Sequence, residues 1–230
     1  MIRNIKITDL ECAIAIPDKL ENPANVILYM IYPKMEGLTV DWIESQSNRY
    51  DTPIIVIYIP DNQWNNYLTP WPEPGEAKGF PSFSGDALRF LETLENQVIP
   101  SCEKMIDHSD IFHRYLVGVS LSGLFTLWQW IKTDLFTSIA CLSGSFWYNG
   151  FIEWFNDQKL PVGRGKTYFL LGEAEPKAQV MAYRSVGENT EKIVDRLQKN
   201  GIPTVFQWVP GNHFFNPLGR AELGIKNLLF

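Results

Sequence analysis

The sequence predicts an α/β protein built on a mostly parallel sheet of about eight strands with helices on both faces. Three observations carry that expectation. Short β-branched apolar blocks alternate with amphipathic stretches along most of the 230 residues, the pattern of successive strand-helix units. Two of those blocks, Val26 to Tyr32 and Ile54 to Ile59, are apolar or aromatic at every position, as strands covered on both faces are. A third, Tyr115 to Val119, runs into the small-residue turn Ser120-Leu121-Ser122-Gly123 and resumes with helical spacing.

The elements follow in order. Ile2 to Ile7 and Cys12 to Ile16 alternate about a polar Thr8-Asp9 turn and read as an antiparallel start. After the turn-prone Glu21 to Asn25 comes the Val26 strand, stopped at Pro33. A short helix is expected over Leu38 to Ser47, with Leu38, Trp42 and Ile43 inward, and prolines bracket the next strand, Pro53 to Pro60. Asp61 to Ser84, rich in Pro, Gly, Asn and aromatics, reads as a long irregular loop. Its Trp64, Tyr67, Trp71, Phe80 and Phe83 could line a site, but fastening the loop to the body is the expected role.

Leu88, Leu91, Leu94 and Val98 give helical spacing over Asp86 to Met105, with a break or kink at Pro100. The Tyr115 strand, a Leu121 to Lys132 helix and a Thr137 to Leu142 strand come next. Phe151 to Phe155 is a short aromatic helix, and Lys166 to Leu171 a strand ending at Gly172. Glu188 to Lys199 is an amphipathic helix stopped by Asn200-Gly201, Thr204 to Val209 the last strand, and Phe214 to Leu229 holds the closing helix. With no repeat or linker, residues 1–230 are expected to form a single domain.

Composition excludes several functions. A net charge of -6 without any Lys/Arg cluster argues against a nucleic-acid or anionic-membrane surface. No apolar run spans a bilayer, and the opening residues alternate rather than forming a secretion-type apolar core. Cys12, Cys102 and Cys141 are odd in number and widely spaced, which suggests buried thiols and a cytoplasmic location. Three scattered histidines give no metal-ligand spacing, so neither metal nor cofactor is expected.

The chemistry gathers at Gly118-Val119-Ser120-Leu121-Ser122, an imperfect match to the nucleophile elbow Gly-x-Ser-x-Gly. An ordinary strand-helix connection could read the same way, so the rest of the chain must decide. A serine hydroxyl needs a base, usually a histidine oriented by a carboxylate. His108 and His113 precede the Tyr115 strand and belong at the wrong sheet edge, whereas His213 follows the carboxyl end of the last strand. Glu173 and Glu175 follow another strand at that same edge, between serine and histidine in chain order, and either could be the acid; Asp157 and Asp195 fit less well.

From about Val26 onward the chain resembles the putative-esterase branch of the α/β-hydrolases, which includes enterochelin esterases, S-formylglutathione hydrolase and feruloyl esterases. The resemblance rests on Tyr67-Leu68-Thr69-Pro70, on Gly85-Asp86-Ala87-Leu88-Arg89-Phe90-Leu91 through Val98-Ile99-Pro100, and on the elbow Gly118 to Phe125. It extends to Leu142-Ser143-Gly144-Ser145-Phe146-Trp147, similar to a Ser-Pro-Ser segment bordering the active site, and to Pro210-Gly211-Asn212-His213. It implies an α/β-hydrolase fold, for which this chain has no segment long enough to form a separate cap domain, and Glu175 rather than Glu173 as the acid, three residues past the strand-ending Gly172. Some relatives work with a Ser-His pair alone.

Two departures bear on chemistry. Relatives often have Asp-Gly where this chain has Tyr32-Pro33, and proline has no N-H to offer an oxyanion. Leu121 is then one expected donor, and the second is Tyr32 or Lys34, or is missing. Arginines common in siderophore-esterase relatives are replaced around Trp64 and Asn66, which favours a neutral acyl or aryl ester, with Trp71, Trp147, Tyr148, Trp154 and Phe214 as wall residues. The expected function is a serine carboxylic-ester hydrolase: Ser120 the nucleophile, His213 the proton shuttle, Glu175 the acid, Leu121 and Tyr32 the oxyanion hole, and Trp147 and Phe214 in contact with substrate. An acyltransferase with the same triad, or a catalytically weak binding protein of this fold, are the alternatives.

Overall fold

In the computed structural model, residues 1–19, 25–106 and 113–230 are described; His108 and the turn expected over 21–24 lie outside them. Eight strands form one sheet in the order β1-β2-β4-β3-β5-β6-β7-β8. β1 (Ile2–Ile7) and β2 (Leu10–Ala15) are an antiparallel pair, and β2 joins β4 (Ile54–Ile59) antiparallel. Every other pairing is parallel, through β3 (Val26–Pro33), β5 (His113–Val119), β6 (Ser138–Leu142), β7 (Thr167–Gly172) and β8 (Thr204–Val209).

The two-residue period of β3 divides the core. Ile27, Tyr29 and Ile31 face one apolar cluster with α5 (Leu121–Lys132), α6 (Phe151–Asp157) and α7 (Val186–Lys199). Leu28, Met30 and Tyr32 face the opposite cluster with α1 (Val40–Tyr50) and α8 (Pro217–Leu229). A strand buried on both faces must be apolar throughout, which is why these runs are legible as central strands. The chain passes from β3 outward to β4 and then returns to β5 on the other side of β3. That reversal of winding opens a crevice at the carboxyl ends of β3 and β5, where open α/β sheets take their ligands.

Three expectations need correction. Asp61 to Ser84 is not irregular throughout: α2 (Asp61–Tyr67) starts directly after Pro60, with an acidic residue in its first turn. It buries no residue fully and therefore leaves no apolar stripe to read. The first helix starts at Val40 rather than Leu38, because the Thr39 side chain accepts the Trp42 N–H at 3.2 Å and caps it. Over Asp86 to Met105 the helix is α3 (Ala87–Thr93), a π-turn (Leu94–Val98) and α4 (Ile99–Glu103). Leu88 points outward at 60% exposure while Ala87, Phe90 and Leu91 take the inner face.

Candidate active site

Ser120 sits between the last residue of β5 and the first of α5 with φ 56 and ψ -123. A non-glycine residue occupies that region only where its surroundings hold it. Here the Ser120 N–H donates to Leu142 O at 3.0 Å, and its carbonyl accepts from Leu124 N at 3.1 Å and Ser145 N at 3.0 Å. Ser122, the imperfect motif position, is fully buried and braces the turn. Its Oγ accepts the Val119 N–H at 2.7 Å and donates to Ile31 O at 2.6 Å, linking β5 to β3 just beyond their last ladder pair. Gly123 allows close approach one step later: a Cβ there would lie 3.0 Å from Gly144 Cα, so the 143–145 turn would have to draw back by a few tenths of an ångström.

Three loops at this sheet edge bring the predicted residues together. His213, after β8, places Nε2 3.1 Å from Ser120 Oγ and Nδ1 2.8 Å from Glu175 Oε2. Glu175 opens a short 3-10 turn beyond β7, and its side chain is 4% exposed against 34% for His213. Glu173 is exposed and takes no part. The other Glu175 oxygen accepts from Gly172 N and Ser143 Oγ, each at 2.7 Å, and from Arg220 Nη1 at 2.9 Å. Burial by itself would raise the Glu175 pKa, but the His213 hydrogen bond and charge, with the Gly172 N–H and the Ser143 hydroxyl, outweigh it and hold the carboxyl below the ordinary value of 4.5.

Sequence reasoning missed Arg220. This buried residue on α8 also donates to Ser143 Oγ at 2.7 Å and Asn212 O at 2.8 Å, so one guanidinium joins the acid, the 143–145 turn and the histidine loop. One signal was available. Arg220 lies on the same helical stripe as Gly224 and Leu228, four and eight residues on, so a charge sits where the helix is otherwise buried.

The cleft above Ser120 has two lobes. One, about 800 Å³, runs past Tyr32, Pro33, Met35, Trp64, Asn65 and Phe214; the other, about 420 Å³, past Leu121, Ser145, Trp147, Glu76 and Tyr183. Both reach Ser120 and His213, and no Lys or Arg lines either. Trp147 therefore lies on the smaller lobe, and Phe214, 83% exposed, on the rim of both. Tyr148 and Trp154 do not line the cleft: with Trp71 they form an aromatic cluster, and the Tyr148 hydroxyl donates to Trp71 O at 2.6 Å. Trp71 and Phe83 thus fasten their loop to the body, and Tyr67 stacks on Phe90; of the five loop aromatics only Trp64 lines the cleft.

Tyr32, expected as an oxyanion donor, lies in the ladder between β3 and β4. Leu28 N donates to Pro53 O beside β4, and with a period of two Met30 and Tyr32 direct their N–H groups to β4 as well. Pro33, the last residue of β3, has none. Among the described residues no group of three His, Cys, Asp or Glu side chains is placed to hold a metal ion, and the three cysteines are buried and free.

A mostly parallel eight-stranded sheet flanked by helices, with a serine elbow at the end of β5, is the α/β-hydrolase fold. Solved structures agree along the whole chain. An IroE-like serine hydrolase from Shewanella oneidensis superposes with a TM-score of 0.72 over 100% of this chain and 78% of its own, at 16% identity. The siderophore hydrolase EstA from Aspergillus nidulans gives 0.70 over 100% and 93%, at 18% identity. A ferulic acid esterase gives 0.63 over 100% and 96%, at 12% identity. In sequence, the uncharacterized protein YbbA of Bacillus subtilis (strain 168) is 26% identical over 167 residues, 71% of this chain and 66%, just under two thirds, of that relative. No family model matches the chain.

Proposed function

We propose that this protein is a serine carboxylic-ester hydrolase acting through an acyl-enzyme, with residues 1–230 working as one domain. The observation that carries the reading is the continuous relay from Ser120 Oγ through His213 to Glu175, at 3.1 and 2.8 Å. Ser120 Oγ attacks the ester carbonyl while His213 Nε2 takes its proton and returns it to the departing alkoxide. Water, deprotonated by the same nitrogen, then releases the acid. Glu175 keeps the Nδ1 proton in place and stabilises the imidazolium. Leu121, first residue of α5, offers its N–H to the oxyanion.

Several of the similar structures are hydrolases of siderophores, and one is a ferulic acid esterase. The cleft here, with carboxylates at Asp61 and Glu76 and no Lys or Arg among its described lining residues, supports a neutral ester instead, with Trp147 and Phe214 against it. Three buried free thiols support a reducing, cytoplasmic setting. No helix among the described residues is long and apolar enough to cross a membrane.

A fluorophosphonate probe and p-nitrophenyl esters of graded chain length test the proposal. Wild-type protein is labelled at Ser120 and releases nitrophenol; Ser120→Ala does neither. Folded wild-type protein that is inert to both would remove the enzyme reading. Product analysis with an added alcohol separates hydrolysis from acyl transfer.

A further inference from the structure

A tetrahedral intermediate ordinarily meets two hydrogen-bond donors, and here Pro33 has no N–H, that of Tyr32 is directed to β4, and Lys34 lines neither lobe of the cleft, its side chain turned to Glu11. We infer that the Ser145 hydroxyl is the second oxyanion donor and that Ser145 is therefore a catalytic residue. The inference rests on the ester-hydrolase reading above.

Four observations carry it. Ser145 is 1% exposed, and its Oγ has a single hydrogen-bond partner among the described residues, Ser120 Oγ at 3.4 Å. That distance is long for one hydroxyl to another, where 2.7–2.8 Å is usual. The Ser120 proton is itself committed to His213 Nε2 at 3.1 Å, so in this pair Ser145 is the donor, and its hydrogen has only this long bond to make until substrate arrives. Buried hydroxyls rarely remain so, because the unmet bond is costly. Secondly, Ser145 lines the same lobe as Leu121, the first donor of the proposed mechanism.

Thirdly, its position is locked to the nucleophile. Ser145 N–H donates to Ser120 O at 3.0 Å, and the neighbouring Gly144 packs on the elbow at Gly123. The far end of the turn is tied by Ser143, whose N–H reaches Leu170 O at 2.7 Å and whose hydroxyl reaches Glu175 at 2.7 Å. Fourthly, the reacting carbonyl oxygen lies only two bonds from Ser120 Oγ, so a donor 3.4 Å from the nucleophile is in reach of it.

In the first step the Ser120 Oγ–carbon bond forms, the carbonyl π pair moves onto oxygen, and the Ser120 proton passes to His213. Leu121 N–H and Ser145 O–H then both donate to that oxyanion. On collapse the pair returns, the carbon–alkoxide bond breaks and the alkoxide takes the proton from His213. Ser145 keeps its own proton throughout.

Ser145→Ala tests this in the full chain with p-nitrophenyl acetate. The expected result is a loss of about 100-fold in kcat with KM within about twofold. The inhibition constant of a trifluoromethyl ketone, which forms an oxyanion on Ser120, should rise by the same factor as kcat/KM falls. Ser145→Cys, close in volume but a weak donor, should behave alike and decides the matter if Ser145→Ala does not fold. If wild type is active and the variant keeps kcat within about threefold, Ser145 is not a donor and the esterase reading stands. If kcat falls but the ketone binds as tightly as before, the hydroxyl only positions Ser120 and the inference is overturned. Wild-type protein that neither reacts with a fluorophosphonate nor hydrolyses the ester removes both readings.

Discussion

At the scale of single residues, the organising group is Arg220. A buried glutamate facing a histidine would be costly alone, and the guanidinium 2.9 Å away makes the Glu175 site neutral overall. Arg220→Met leaves that carboxylate uncompensated and frees the carbonyl of Asn212 in the histidine loop. Breaking a buried pair costs about 3 to 5 kcal/mol, which for a chain of this size lowers Tm by roughly 10 °C. The turnover number should fall at least about tenfold with KM little changed, because Arg220 lines neither lobe and acts through Glu175 and the histidine loop. Arg220→Lys, keeping the charge, should recover part of both; a Met variant as stable and active as wild type would exclude this role. Glu175 itself gives a pH signature. Its folded pKa lies below the ordinary 4.5, so its contribution to stability is present above that value and is lost as pH falls through the folded one. The Tm difference between wild type and Glu175→Gln should be largest near neutrality and narrow below about pH 4.5. A difference constant from neutral to acid pH would show that ionisation of Glu175 adds nothing.

At the scale of elements, legibility followed burial. The central strands were readable because parallel strands covered on both faces are apolar throughout, and β1 with β2 by their alternation. Ser120 and His213 were readable because each follows the carboxyl end of a strand, a position that Glu173 shares with Glu175, so that the family resemblance alone favoured Glu175. α2 was not readable, since a short helix without a buried face carries no periodic signal. Leu88 misled because α3 turns Ala87 and Phe90 inward instead. The Ser122 departure was visible but its meaning was not: only the approach of Ile31 shows that the hydroxyl replaces a missing backbone link. A glycine at 122, as the motif prefers, should therefore weaken this protein. Ser122→Gly leaves the part-buried Val119 N–H without its side-chain acceptor, at about 1 kcal/mol. Thermal unfolding should show a lower Tm, and fluorophosphonate labelling a slower reaction at Ser120. A more stable and faster variant would mean that the brace is incidental.

At the scale of the whole molecule, charge decides what reaches the elbow. The chain carries a net charge of -6, both lobes lack Lys and Arg, and Asp61 and Glu76 stand in their walls. Glu76 accepts the Tyr183 hydroxyl at 3.1 Å, and Tyr183 packs on Trp147 at 4.7 Å between ring centroids, so this carboxylate is held at the side of the smaller lobe. A substrate carboxylate about 8 Å from one such group meets roughly 0.5 to 2 kcal/mol of repulsion, depending on how much water lies between. Two groups make that about tenfold or more in kcat/KM. The matched pair of substrates is a p-nitrophenyl butyrate and the p-nitrophenyl monoester of succinate, alike in length and differing in a terminal charge. The neutral ester should be preferred by about that factor at low ionic strength, and the preference should shrink toward 0.5 M salt as screening shortens to a few ångströms. Glu76→Gln with Asp61→Asn should narrow the ratio without changing the rate on the neutral ester. A salt-independent ratio would assign the preference to shape, and a preference for the anion would mean that cations outside the cleft walls, not these carboxylates, set its potential.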